Sequence, residues 1–242
     1  MKITLDEAAK IIGDAQTIIL TSHIRPDGDS IGSTLGLMHY LRAQGKDARV
    51  LIDDDLPRIF NILPGIETIE RPAEGTRYAA DLLIVCDVEL KRTGEVLSAV
   101  DAVRVLNIDH HVTNDEEAEY LYLNADYAAT CEIMHDLILA MGGTFSLDVA
   151  TCLYTGIATD TGFFRFSNTT PHTMRAAADL VEVGVKPNII SVAMEMKSFD
   201  EMMAQVRAIR NLEMFHDGKV AAVFIDEEKA KEVTTTEGLL DK

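Results

Sequence analysis

Short apolar runs and amphipathic stretches alternate along the first half of the chain. Thr17 to Ser22, Ala48 to Ile52, Leu82 to Cys86 and Val103 to Ile108 are rich in Ile, Val and Leu, the pattern of strands covered on both faces. Between the first two lies a helical pattern, Ser30 to Gln44, with Ile31, Leu35, Leu37, Met38 and Leu41 as its apolar positions and Gly45 as its stop. This order predicts an α/β fold, a parallel β-sheet with crossover helices on both faces. Beyond about residue 125 the patterns are helical: Tyr127 to Met141, Leu147 to Thr159, Thr173 to Val183, and a Met-rich stretch from Asn188 to Phe215. A strand-like run, Val220 to Ile225, follows His216-Asp217-Gly218. The expected organisation is a domain over 1–187, a helical linker over 188–216, and the start of a second α/β domain over 217–242. The 25 residues from Gly218 to Lys242 are too few for a core of their own.

Composition narrows the function. A chain of 242 residues with 47% apolar side chains buries a sizeable core. Its net charge of −18 argues against electrostatic binding of long nucleic acid, which needs clustered Lys and Arg. An anionic substrate must then be small, or drawn in locally by metal. Cys86, Cys131 and Cys152 stand singly with no CxxC pair, the usage of free thiols in a reducing compartment. The N-terminus lacks a basic start followed by an apolar run, and no stretch approaches the roughly 18 apolar residues of a membrane span. A cytoplasmic location without membrane attachment is expected.

Candidate chemistry is spread over four segments: His23-Ile24-Arg25-Pro26-Asp27-Gly28-Asp29, then Asp87, then Asp109-His110-His111, then Asp160-Thr161-Gly162. Each has an ordinary reading by itself: a loop capping a helix through Asp29, a strand-end Asp, a turn, a helix terminus. Together they read differently, because ligands of an open parallel sheet gather at the carboxyl ends of its strands. Three segments follow predicted strands and the fourth ends a predicted helix. Gly28 is expected to allow a tight turn that aims Asp27 and Asp29 in different directions. Asp and His without Cys favour a hard or borderline divalent ion, Mn²⁺ or Mg²⁺, and imidazole among carboxylates tilts the choice to Mn²⁺. Other residues draw less weight: Asp53-Asp54-Asp55 reads as a solvated turn, His135, His172 and His216 as ordinary, and Met194, Met196, Met202, Met203 and Met214 as helical core or a dimer seam.

The four segments, in this order, resemble the motifs of the DHH phosphoesterase superfamily over about residues 1 to 190. Ser22 to Ser33 and Thr159 to Thr170 are most similar to the NrnA-like group of short-oligoribonucleases and 3′-phosphoadenosine-5′-phosphate (pAp) phosphatases. The resemblance implies two metal positions, one held by His23, Asp27 and Asp87, the other by Asp29, Asp87, His110 and Asp160, with Asp87 bridging. Four carboxylates at −4 and two divalent ions at +4 leave such a site about neutral, and two metals roughly 3.5 to 4 Å apart share and acidify a water. His111 would donate to the phosphate or protonate the leaving oxygen, and Asp109 would orient a histidine. Arg25 and Arg165 would be phosphate clamps. The family usually continues into a DHHA1 domain, of which Gly218 to Lys242 resembles only the opening; the GGGH motif is absent from this sequence. Short RNA or a small nucleotide is the implied substrate and a homodimer the implied assembly. The alternatives are a cyclic-dinucleotide phosphodiesterase or inorganic pyrophosphatase of the same superfamily, or a non-catalytic nucleotide-binding module.

Overall fold

Five parallel strands in the order β2-β1-β3-β4-β5 build the main sheet: β1 (Thr17–Thr21), β2 (Asp47–Val50), β3 (Tyr78–Cys86), β4 (Val100–Asp109) and β5 (Tyr120–Leu123). The computed structural model describes residues 1–224. Register pairs Ile18 with Leu82 and Leu20 with Ile84, and Leu82 and Ile84 with Arg104 and Leu106. Side chains alternate across each strand. Ile18, Leu20, Leu82, Ile84, Leu106 and Ile108 join the large core, while Ile19, Leu83 and Val85 join a smaller cluster on the other face.

The helices divide unequally between the two faces. The large core takes in buried residues of α1 (Leu5–Asp14), α2 (Gly28–Ala43), α4 (Thr130–Ala140), α5 (Leu147–Asp160) and α6 (Pro171–Val183). The opposite face carries the single-turn α3 (Val96–Ala99), whose Val96 packs with Val88 and Val100. α2 is buried almost all round, as a helix between a sheet and a second helix layer must be. A Cβ added at Gly32 would come 2.5 Å from the Cys152 carbonyl oxygen of α5. Only glycine lets the two helices approach that closely, and α2 and α5 carry Asp29 and Asp160.

Some details differ from the sequence reading. β5 escapes the apolar pattern because it is four residues long and follows the polar stretch Asn114 to Glu119. Its register with β4 and a bridge from Lys2 to Leu121 hold it in place. The Met-rich stretch is not one helix. α7 (Pro187–Glu195) stops, Ser198 and Glu201 form a capping box that starts α8 (Phe199–Ile209), and Leu212–Phe215 is a strand, β6. Met194 packs on the large core, whereas Met196, Met202 and Met214 are exposed. The predicted last strand is β7 (Val220–Val223), antiparallel to β6; Ile225 lies outside the described residues. The β6–β7 turn runs through His216, Asp217 and Gly218, all at positive φ.

Met1–Met194 forms one compact unit, and the described residues from Glu195 onward belong to another. Cys86, Cys131 and Cys152 are buried free thiols. Among the described residues no helix is long and apolar enough to cross a membrane.

Candidate metal centre

A parallel sheet sends the carboxyl ends of its strands to one edge. Here β1 runs on into Ser22 and His23, β3 into Asp87, and β4 ends at Asp109 before His110 and His111. Asp87 sits on left-handed backbone, φ 67°, pinned by its N–H donating to the Ile108 carbonyl at 2.9 Å. A non-glycine residue held there marks strain that the surroundings must hold in place.

The two carboxylates of the first loop do different work. Asp27 is the N-cap of α2: its Oδ1 accepts from the N–H groups of Asp29 and Ser30 at 3.1 and 3.0 Å, while Oδ2 faces His23 Nε2 at 3.7 Å. Asp29 does not cap that helix. It is fully buried and crosses to the start of α4, accepting from the N–H groups of Thr130 at 2.6 Å and Cys131 at 2.8 Å. Gly28 is helical rather than a turn residue, and its constraint is packing: a Cβ there would meet Thr159 Oγ1 of α5 at 2.3 Å. The divergence of Asp27 and Asp29 thus comes from successive positions at a helix start.

Both oxygens of Asp87 face imidazoles. Oδ2 lies 3.6 Å from His23 Nε2, and Oδ1 lies 3.5 Å from His110 Nε2. His110 Nε2 is also 3.8 Å from Asp29 and 3.4 Å from Asp160. The donor atoms form the groups His23/Asp27/Asp87 and Asp29/His110/Asp160, each within 4.8 Å. Two ligands about 2.1 Å from one small cation and subtending about 110° lie roughly 3.4 Å apart. Separations of 3.4 to 3.8 Å are thus too long for hydrogen bonds and suited to a shared cation. A third group, Asp87/His110/His111, also satisfies the 4.8 Å spacing. In it, however, His111 Nδ1 is committed to Asp109 Oδ1 at 2.8 Å.

The histidines are oriented from behind. His23 Nδ1 lies 2.9 Å from the Ile24 carbonyl and His110 Nδ1 lies 3.3 Å from that of Tyr127. Each Nδ1–H donates to a carbonyl and leaves Nε2 to bind a cation. His110 Nε2 is buried without a hydrogen-bond partner. Facing three carboxylates, that nitrogen needs positive charge between itself and them, a proton or a metal ion. Asp160 adds to the case as the last residue of α5, where the helix dipole disfavours a carboxylate by about 0.3–1 kcal/mol.

Electrostatics agree. Burial disfavours charge on His23 and His110, yet the facing carboxylates outweigh it and raise them to about 10 and about 11. Burial pushes Asp29 and Asp160 up, reinforced by neighbouring carboxylates. Burial also works against the Asp87 charge, but His110 and His23 hold its carboxyl well below the usual range. A pocket that grips protons this tightly grips metal cations for the same reason, and binding them expels those protons.

The DHH family's N-terminal domain matches residues 17–157, more than half of the chain. The chain belongs to the DHH family. It is 38% identical over 191 residues, 78% of its length, to the bifunctional oligoribonuclease and PAP phosphatase NrnA of Thermus thermophilus, covering 57% of that relative. To the Bacillus subtilis protein of the same name it is 24% identical over 233 residues, 95% of this chain and 73% of that one. An exopolyphosphatase-related protein from Bacteroides fragilis superposes with a TM-score of 0.84 at 26% identity, over 95% of this chain and 71% of that chain.

In this DHH protein the naming triplet splits three ways. Asp109 is fully buried and saturated: Oδ1 accepts from the N–H groups of His110 and His111 and from His111 Nδ1, and Oδ2 accepts from Asn114 Nδ2 at 2.6 Å. His110 enters the centre and His111 remains half-exposed. Arg25 is exposed, on left-handed backbone anchored by its N–H to Asp54 Oδ2. Arg165 is exposed, with Nε donating to the Gly162 carbonyl at 2.6 Å. Among the described residues the Arg25 guanidinium and the terminal nitrogens of Arg165 have no protein partner, as anion clamps require. Asp53 holds Arg71 and the Glu95 N–H, a structural turn. Sequence reasoning missed Thr130, Asn107 and Asn114. Asn107 bonds the carbonyls of Val85 and Val88 and accepts from Asn114, tying Asp109 to the strand end that carries Asp87. None has a local signature.

Proposed function

We propose that the protein is a divalent-metal-dependent phosphoesterase that hydrolyses short oligoribonucleotides and the 3′-phosphate of pAp. The observation that carries this reading is the geometry of Asp87, one oxygen toward His23 and Asp27 and the other toward His110. Ions held by His23, Asp27 and Asp87 and by Asp29, Asp87, His110 and Asp160, Mn²⁺ in preference to Mg²⁺, would acidify a water and polarise the phosphoryl oxygens. His111 is the proton donor. Its hydrogen bond to Asp109 raises its pKa and leaves Nε2 to face substrate. Water attacks phosphorus and loses a proton to solvent, the ester P–O bond breaks, and the leaving oxygen takes the His111 proton, which solvent then replaces. Arg25 and Arg165 grip the phosphate oxygens.

The substrate class is supported by the names of the two NrnA relatives, and the chain spans about three fifths of the Thermus protein's length. The compact unit over Met1–Met194 serves as the catalytic domain, and the described residues from Glu195 begin a second one. The buried free thiols suit the cytoplasm.

The test measures phosphate and nucleotide release from pAp and from a 5′-labelled RNA dinucleotide, with Mn²⁺, with chelator, and in Asp87→Ala. Metal-dependent turnover that disappears in chelator and in the variant is expected. An intact protein that turns over neither substrate with Mn²⁺ or Mg²⁺ would overturn the reading.

A further inference from the structure

Thr130 makes two contacts that bring separate parts of the metal centre together. Its backbone N–H donates to Asp29 Oδ2 at 2.6 Å, and its hydroxyl donates to Asp87 Oδ1 at 3.0 Å. The residue is fully buried. It begins α4, whose next N–H, from Cys131, holds the other Asp29 oxygen at 2.8 Å. Space is tight as well, since a Cβ at Gly156 would meet Asp29 Oδ1 at 2.9 Å and Cys131 Sγ at 2.2 Å. Asp29 is thus fixed by backbone, whereas the Asp87 carboxylate is free to rotate about its last bond except where a hydrogen bond stops it. The Thr130 hydroxyl is the neutral donor that stops it, bonding the oxygen that also faces His110 Nε2 at 3.5 Å.

We infer that Thr130 is a positioning residue that sets the rotation of the bridging Asp87 carboxylate and so determines whether both metal positions fill together. The inference rests on the two-metal reading above. Thr130 is fully buried and acts through Asp87. Without its hydroxyl, Asp87 keeps the imidazoles on both sides but loses the hydrogen bond that fixes its plane, and simultaneous bridging is lost before either single position is.

Thr130→Val separates the hydroxyl from the rest, because it keeps the side-chain shape and the N–H to Asp29. Mn²⁺ is titrated into wild type, Thr130→Val and Thr130→Ser by calorimetry, with electron paramagnetic resonance reporting exchange-coupled Mn²⁺ pairs. Wild type is expected to take two ions and show the coupled signal. Thr130→Val should retain the first ion, bind the second about 10–100-fold more weakly, in the range for residues that orient ligands, and lose the coupled signal. Its kcat should fall while KM changes little, and Thr130→Ser should restore all three readouts. Wild-type affinity and coupling in Thr130→Val would overturn the inference while leaving the proposed function intact. A wild type that binds no pair of Mn²⁺ ions would overturn the two-metal reading itself. Should Thr130→Val not fold, failure of the folded Thr130→Ser protein to show coupling overturns the inference equally.

Discussion

Two clusters of acids and imidazoles in this molecule use the same residue types toward opposite ends. One is the centre around Asp87. The other joins α4 to α6 and consists of Glu132, His135, Asp136, His172 and Asp179, with Tyr127 donating to Asp136. In the second cluster each acid and imidazole finds a partner at 2.5 to 3.2 Å, and Glu132 also accepts from the Ala128 N–H and the Thr173 hydroxyl. Around Asp87 the imidazole-to-carboxylate separations are 3.4 to 3.8 Å and His110 Nε2 has no partner. A self-satisfied network holds helices together; an expanded one leaves room for ions. Spacing, rather than composition, separates the two clusters.

The largest test of that difference is His111→Ala. His111 belongs to neither ligand group of the proposed pair, so kcat is expected to fall about 10²–10⁴-fold while Mn²⁺ binding persists. Calorimetric loss of the metal along with activity would show that His111 is a ligand and blur the line drawn at Asp109. Next in size is metal-linked stability. Mn²⁺ at a hundred times its Kd should add about 2.7 kcal/mol, roughly 5–10 °C in Tm for a chain of this size. Thermal melting should show the gain in wild type and not in Asp87→Ala; an equal gain in both would place the metal elsewhere.

The second cluster should behave in the reverse way. His172→Ala leaves the buried Glu132 carboxylate without its 2.5 Å partner. Because the His172 side chain is 49% exposed, water enters and the cost falls at the low end for a lost buried partner, about 1 kcal/mol. Chemical denaturation should show that loss with the Mn²⁺ titration unchanged. The smallest effect is a pH dependence. The hydrogen bond to Glu132 raises the His172 pKa above its ordinary 6.5. The folded state therefore holds that proton more tightly than the unfolded state does. The contribution is full below about pH 6.5 and fades as pH rises through the raised folded-state value. Metal-free melting curves from pH 5 to 9 should show this fade in wild type and lose it in His172→Ala; identical profiles would remove His172 as the titrating group.

Sequence alone determined the strand-and-helix order of the α/β unit and the residues that converge on the sheet edge. Hydrophobic runs mark parallel strands, and parallel pairing obliges their carboxyl ends to meet. His23, Asp87 and the Asp109–His111 triplet were legible for that reason, whereas the role of Asp160 came from resemblance to a family. Tertiary structure alone decided which atoms face which. Asp27 caps α2 while Asp29, two positions on at the helix start, meets the Thr130 N–H of α4 across a sequence separation of 101 residues. The break between α7 and α8 had a local signal in the Ser198–Glu201 capping box, masked by the apolar pattern around it. The short edge strand β5 and the saturated His172 network had none. Local patterns record which side chains avoid water; hydrogen bonds between distant segments leave no such record, because the energy that selects them exists only after the chain has brought the partners together.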